Sequence, residues 1–288
     1  MAGARVGVFD SGVGGLSVWR EISRQHPGLD TIYLADQAHI PYGEHSPAQV
    51  RRFATGMTRY LVTRGCDAIV VACNTASAAA LATLRSEFPQ VVFVGMEPAV
   101  KPAAAISQRK IVGVLGTPAT LAGELFLGTI ERHAADVEVV RQPCPGLVDR
   151  IEAGEIDGPE TEAMLRDFLR LPLAAGADVL VLACTHYPLM QKSIEALAGP
   201  GVHVIDPAPA VARQLGRCIE GLGSASAPGA EVRTPSGRHE FRTTGDVQRF
   251  ERVAETILGR QVIAAGVRWE RDVLVGEAVP AQSPVRES

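Results

Sequence analysis

Basic clusters, long apolar runs and paired-cysteine spacings are all missing from this chain, and each absence closes off a class of function. Of 288 residues, 28 are Lys or Arg and 32 are Asp or Glu, giving a formal net charge of −4. Nowhere do the basic residues gather, which argues against nucleic acid or an anionic membrane surface as principal partner, since both are held by concentrated positive charge. No apolar stretch approaches the roughly 18 residues of a membrane-spanning helix. The opening MAGARVGVFD enters a strand directly, without an apolar leader, so the expected location is the cytoplasm. The five cysteines, at 66, 73, 144, 184 and 218, form an odd and widely spaced set. In a reducing compartment that pattern means free thiols rather than a disulfide framework. No Cys-x₂₋₄-Cys pair occurs and Cys184-x-His186 alone lacks the usual ligand spacing, so no metal is expected.

What the sequence does contain is a long-range echo. Residues 68–77 (AIVVACNTAS) and 178–187 (DVLVLACTHY) share a β-branched apolar run, then Ala-Cys, then small polar residues. VGVFDS at 6–11 matches VGVLGT at 112–117 with an offset of 106, Cys73 matches Cys184 at 111, and Glu97-Pro98-Ala99 matches Asp206-Pro207-Ala208 at 109. Landmarks in one order at nearly constant spacing indicate two similarly wound units, and the offset is too long for a solenoid period.

Strand-like runs near 5–9, 31–35, 67–72, 91–95, 110–115, 137–141, 178–183 and 202–205 alternate with helical patterns. The expected fold class is therefore α/β, with two pseudo-symmetric domains, each a mainly parallel sheet flanked by helices, and the active site in the cleft between them. The expected first domain is discontinuous, 1–98 plus 208–270, with 99–207 forming the second. Gly221 to Ala230 reads as an exposed loop, 238–243 as a short strand and 246–257 as a helix, with two further strand-like runs beyond. Residues 277–288 read as a frayed, disordered tail.

Ligands in such sheets bind beyond the carboxyl ends of the strands. Asp10, Ser11, Cys73, Asn74, Thr117, Cys184 and Thr185 all sit there. The glycine-rich turn DSGVGGL at 10–16 invites a nucleotide, but it reads Gly12-x-Gly14-x-x-Ser17, a broken form of the dinucleotide pattern, and Asp10 would set a carboxylate beside a pyrophosphate. Its glycines still permit close backbone approach, and a helix N-terminus there suits a small anion such as an amino-acid carboxylate.

A free cysteine at a strand end is by default a small core residue, and Cys66 and Cys218 are assigned to packing. Cys144, in Pro-Cys-Pro-Gly, is expected near the site without a base beside it. Cys73 and Cys184 keep different company, with Asn74 and Thr75 after one and Thr185 and His186 after the other. Each is expected to precede a helix, whose N-terminus favours the thiolate. Two like thiols facing one pocket suit inversion of a stereocentre, which needs a base on one face and an acid on the other, exchanging roles in reverse. At the reference pKa, a thiolate at pH 7 costs about 2 kcal/mol, which helix terminus and polar neighbours are expected largely to offset.

DSGVGGL (10–16), PYG (41–43), ACNTAS (72–77), Glu97-Pro98, VGVLGT (112–117), CPGLVDRIEAG (144–154) and ACTHYP (183–188) resemble the glutamate racemase family from about residue 5 to about 265. The resemblance implies a cofactor-independent enzyme interconverting L- and D-glutamate, with D-glutamate going to bacterial peptidoglycan, and two pseudo-symmetric α/β domains with the site between them. It implies Cys73 and Cys184 as the acid/base pair, Asp10 assisting Cys73, and His186 with Glu152 assisting Cys184. Substrate contacts would come from Asp10, Ser11, Tyr42, Gly43, Asn74, Thr75, Thr117, Thr185 and His186. The pattern departs at Gly116, where the family carries a small residue such as Ala.

Plainer readings stand beside these. His186 could cap a helix, Glu152 could be a solvated carboxylate on a helix face, and Tyr42 could simply pack its loop. A racemase of aspartate or another acidic amino acid fits the same thiols. A cysteine amidase or hydrolase would use Cys184 with His186 and leave Cys73 unexplained. A two-domain binding protein would have no use for paired thiols. Oligomeric state is not legible, a homodimer being one option.

Overall fold

The computed structural model describes residues 4–220 and 237–276. The loop expected at 221–230 lies outside the described residues, as does the tail expected at 277–288. Twelve strands are described: β1 (Arg5–Asp10), β2 (Asp30–Ala35), β3 (Ala68–Val71), β4 (Val92–Gly95), β5 (Ile111–Gly116), β6 (Glu138–Pro143), β7 (Val179–Ala183), β8 (His203–Ile205), β9 (His239–Thr243), β10 (Ala264–Gly266), β11 (Arg268–Glu270) and β12 (Val273–Val275). Between them run α1 (Leu16–Gln25), α2 (Pro47–Thr63), α3 (Asn74–Glu87), α4 (Val100–Ile106), α5 (Pro118–Ala122), α6 (Glu124–His133), α7 (Leu147–Glu152), α8 (Pro159–Ala174), α9 (Gln191–Ala198), α10 (Ala208–Glu220) and α11 (Val247–Leu258). Among the described residues no helix is long and apolar enough to cross a membrane.

Local chemistry accounts for many of these boundaries. Ser46 and Gln49 form a reciprocal capping box before α2, with Pro47 at its first helical position. Asp246 accepts from the Arg249 amide to open α11, and Gly259 closes it with φ +65. The strands AIVV and VLVLA are buried at every residue. Strands of a parallel sheet covered on both faces read this way, as continuous apolar runs rather than alternations.

The duplication seen in sequence is also a duplication of topology. A six-stranded sheet runs β10-β9-β2-β1-β3-β4, and a four-stranded sheet runs β6-β5-β7-β8. All pairings in both are parallel. The order β2-β1-β3-β4 in the first repeats as β6-β5-β7-β8 in the second, so β1 matches β5 and the two cysteine strands β3 and β7 match each other. In each unit the chain crosses from one side of its first strand to the other, which opens a crevice at the carboxyl ends of β1 and β3, and of β5 and β7. The pairs that sequence comparison singled out therefore border the two crevices.

The segment after α10 returns to the first sheet, where β9 pairs with β2 and β10 with β9. The last two strands form an antiparallel hairpin outside both sheets. Trp269 on β11 lies against α2 at Gly56, where a Cβ would stand 2.5 Å from the indole ring.

His239 at the start of β9 is packed edge-on against Trp19, with Nδ1 2.9 Å from the Thr31 hydroxyl, which itself accepts from the Trp19 indole. Burial, then the Arg260 charge, lowers its pKa to about 4, so the ring is neutral in the folded protein near pH 7. A base with a depressed folded pKa stabilises the fold fully above its unfolded value near 6.5, and that contribution is lost as pH falls from there toward 4. His239→Gln, which keeps an acceptor for Thr31, is expected to flatten the acid side of a melting-temperature profile between those limits. An unchanged acid slope would assign the sensitivity to other groups.

Candidate active site

The two crevices face each other and share one cavity. From the first sheet its wall takes Ser11, Tyr42, Gly43, Cys73, Asn74 and Thr75; from the second it takes Thr117, Cys184, Thr185 and His186. All of these were anticipated from sequence. Pro41, Thr120, Val148 and Ala183 complete the wall and were not. The space is narrow, about 20 Å³ open to the centre of a water-sized sphere. That admits one or two waters, so any larger ligand requires the walls to part.

The two cysteines differ more than their sequences do. Cys73 caps α3, its Sγ accepting from the Ala76 amide at 3.4 Å. Cys184 is followed by a turn and a single 3₁₀ turn at Tyr187–Met190 before α9 begins. The expectation of a helix directly after both cysteines is corrected for Cys184. An α-helix opening at Thr185 would need the amide N–H of residue 188 for its first bond to the Cys184 carbonyl, and Pro188 has none; Tyr187 N makes a turn bond to that carbonyl instead. The expected easing of the Cys73 thiolate by its helix is corrected as well. Burial first, then the Asp10 charge, raises the Cys73 thiol well above its ordinary value, and the opposing pull of the Ala76 amide and Ser11 hydroxyl does not overcome them. The Cys184 sulfur is near enough to add to that rise.

The glycine-rich turn is built for protein carboxylates. Asp10 Oδ2 accepts from the amides of Gly15 at 2.9 Å and Gly12 at 3.3 Å, and the Val13 amide donates to Glu152 Oε1 at 2.6 Å. The small anion expected at this turn is thus Glu152, contributed by the second unit. A Cβ on Gly12 would stand 2.0 Å from Glu152 Oε1, and one on Gly14 2.3 Å from the His186 ring. Glycine is required at both positions for this approach, with no nucleotide needed to explain it. Ser17, where a dinucleotide turn would carry its third glycine, places its hydroxyl 2.8 Å from the Gly14 carbonyl and 2.9 Å from that of Thr185 across the interface.

Glu152 is buried, contrary to the default for a carboxylate on a helix face. It stands behind the cavity wall, accepting from His186 Nε2 at 2.8 Å, while His186 Nδ1 faces Cys184 Sγ at 3.8 Å. Burial alone would push the His186 ring down, but hydrogen bonds to Cys184 and Glu152, with the Cys184 and Asp10 charges, hold it well above its ordinary value. The ring therefore keeps its proton one contact from a sulfur.

Three polar atoms lie buried without a hydrogen-bond partner among the described residues: both Oδ1 and Nδ2 of Asn74 in the wall, and Oδ1 of Asp10, which stands behind the wall and not in it. Unpaired buried groups are costly, and two acceptors with one donor, in a site that also offers the hydroxyls of Ser11, Thr75, Thr117 and Thr185, match an ammonium and a carboxylate on one small molecule. Asp10 is raised by its burial, against the pull of His186 and the Gly15 amide. A bound cation would relieve that cost.

Two supporting groups had no sequence signal. Asp36, fully buried, accepts from the Tyr42 hydroxyl and the Trp269 indole, each at 2.7 Å, from the Thr244 hydroxyl at 2.9 Å, and from His39 at 2.9 Å. It fastens the Pro41–Gly43 loop to Thr244 and to Trp269 of the β11–β12 hairpin. Thr120 joins Thr75 and Thr117 in a triangle of hydroxyls, 2.9 to 3.3 Å apart, that closes the cavity across the two units. Cys66 and Cys144 are core residues outside the cavity wall, with Cys66 pushed up to about 12 by burial. Gly116, the departure noted in sequence, lets Leu121 lie so close that a Cβ would stand 3.1 Å away.

Residues 6–215 match the model of the family described as Asp/Glu/Hydantoin racemase. A glutamate racemase of Roseiflexus sp. (strain RS-1) is 50% identical over 245 residues, 85% of this chain and 89% of that protein. Among solved structures, glutamate racemase from Francisella tularensis in complex with D-glutamate superposes with a TM-score of 0.79 at 27% identity, covering 94% of this chain and 98% of that one. The Escherichia coli glutamate racemase in complex with L-glutamate and the activator UDP-MurNAc-Ala gives 0.80 at 29%, covering 95% and 100%.

If Glu152 is what keeps His186 protonated, Glu152→Gln, which retains an acceptor and removes the charge, lowers the ring's titration midpoint. Histidine NMR across pH would read this; an unmoved midpoint would assign the elevation to the Cys184 sulfur and Asp10.

Proposed function

The chain belongs to the Asp/Glu/Hydantoin racemase family, and on that premise we propose that it interconverts L- and D-glutamate by proton transfer between two thiols, Cys73 and Cys184, without a cofactor. The observation that supports this most directly is that the two cysteines, carried by equivalent strands of the two units, wall the same cavity. An amidase or hydrolase would engage Cys184 with His186 and leave the other sulfur idle.

The steps follow from the groups present. The α-ammonium of glutamate pairs with the free oxygens of Asp10 and Asn74, and a carboxylate takes Asn74 Nδ2 with the hydroxyls of Ser11, Thr75, Thr117 and Thr185. Pairing Asp10 with an ammonium cancels the charge that opposes ionisation of Cys73, so its thiol can release its proton to water as the substrate enters and stand as the thiolate beside the α-carbon. That thiolate removes the α-proton on one face. Preorganised hydroxyl and amide dipoles hold the enolate-like carbanion. Cys184 delivers a proton to the other face and recovers it from His186, which Glu152 holds in place. In reverse the two sulfurs exchange roles, and because enantiomers have equal free energy, kcat/KM must be the same in both directions.

The domain division belongs to the same proposal, with 1–98 and 208–270 as one body and 99–207 as the other. It is supported by the return of β9 and β10 to the first sheet. A cytoplasmic enzyme supplying D-glutamate for peptidoglycan is the matching physiological role.

Cys73→Ser or Cys184→Ser should lower kcat for glutamate racemisation by about 10²- to 10⁴-fold, the ordinary contribution of a positioned acid or base, as followed by optical rotation from either enantiomer. Near-parental racemisation by either variant would remove that thiol from the reaction.

A further inference from the structure

We propose that Gln37 and Thr243 are positioning residues that lock the Glu152 carboxylate in the orientation that serves His186. The inference rests on the reading of His186 as the proton partner of Cys184. It arises from a hydrogen-bond chain whose direction can be assigned atom by atom.

The chain starts at the end of β9. The Gly245 amide donates to Thr243 Oγ1 at 3.0 Å, and Thr243 Oγ1 lies 2.8 Å from Gln37 Oε1, to which its single proton is directed. An amide whose oxygen accepts there must present its nitrogen on the other branch. Gln37 Nε2 accordingly donates to Glu152 Oε2 at 2.7 Å. The flipped amide would set its oxygen against the carboxylate, two acceptors face to face, and is excluded by that repulsion. Among the described residues Glu152 Oε2 accepts from Gln37 alone, while Oε1 takes the Val13 amide and His186 Nε2.

The lock is needed because Glu152 ends α7, a helix of six residues, and its side chain crosses to the other unit. The Val13 amide and His186 hold Oε1, and the Gln37 donor on Oε2 fixes the rotation of the carboxylate about it. Without that donor the carboxylate can rotate about Oε1 toward half-buried Gln37, weakening its bond to His186. The groups facing His186 are Cys184 beside it, Glu152 from α7 and Asp10 from β1, with Arg249 of α11 bound to the Glu152 carbonyl at 3.2 Å. Of these, only Glu152 depends on Gln37.

The test uses Gln37→Met, Thr243→Val, Thr243→Ser and the double variant Gln37→Met/Thr243→Val in the full chain, reading the His186 titration by NMR together with kcat and KM for glutamate. Gln37→Met and Thr243→Val should each lower the titration midpoint and reduce kcat about tenfold or more, with KM within twofold of the parent. The double variant should be no worse than Gln37→Met alone, since both act through one contact. Thr243→Ser, which keeps the hydroxyl, should behave as the parent. A midpoint unmoved by Gln37→Met, effects that multiply in the double variant, or a Thr243→Ser loss equal to that of Thr243→Val would each overturn the lock. Should the parent protein fail to racemise glutamate, the titration still decides the lock, so the two readings fail separately.

Discussion

The seating of one carboxylate from the second unit in the glycine turn of the first is the contact on which the rest of this site depends. Glu152 takes the Val13 amide at 2.6 Å and His186 at 2.8 Å through the same oxygen. A buried charge is tolerable only when its hydrogen bonds are made, so the two units are held in the one relation that satisfies it. That relation brings the ends of β1 and β3 opposite those of β5 and β7, and with them the two sulfurs. Gly12 and Gly14 are the sequence's concession to this approach, since side chains there would occupy the space of Glu152 and His186.

Burial works against the chemistry and for it. A thiol sealed beside Asp10 resists ionisation, which keeps Cys73 protonated and unreactive when no substrate is bound. The same seclusion leaves Asp10 Oδ1 and the Asn74 amide unpaired, and these are the atoms that an amino acid's ammonium and carboxylate would satisfy. In the proposed mechanism, an ammonium beside Asp10 cancels the charge that opposes the Cys73 thiolate. On the other side, His186 carries the charge balance, held protonated between a carboxylate and a sulfur. Equivalent strands have acquired unlike helpers, and the pseudo-symmetry is one of backbone and sulfur only.

The strands and both cysteines were legible in the sequence because continuous β-branched runs and their 111-residue echo are local or periodic signals. Ser11, Cys73, Asn74, Thr75, Thr117, Cys184, Thr185 and His186 of the wall were legible because they follow directly from strand ends, and Tyr42 and Gly43 through the family resemblance. What sequence could not show were contacts between elements distant along the chain. Glu152 looks like any helix carboxylate until α7 is placed against the glycine turn, and Gln37 and Asp36 look like loop residues until β9 is paired with β2 and the Trp269 hairpin is packed on α2. The balance at Cys73 was also hidden, because it weighs helix position against burial, and burial belongs to the tertiary structure. At Cys184 the likeness to Cys73 suggests a helix, but Pro188 is the local signal that a helix cannot start there.

The central claim is that two sulfurs act on opposite faces of one carbon, and isotope incorporation during a single pass tests it most directly. With L-glutamate in deuterated water, the account predicts deuterium at the α-carbon of the D-glutamate formed, while unreacted L-glutamate stays largely unlabelled, with the converse from D-glutamate. Equal and rapid labelling of both enantiomers from either starting side would mean a single base serving both faces, and would contradict it.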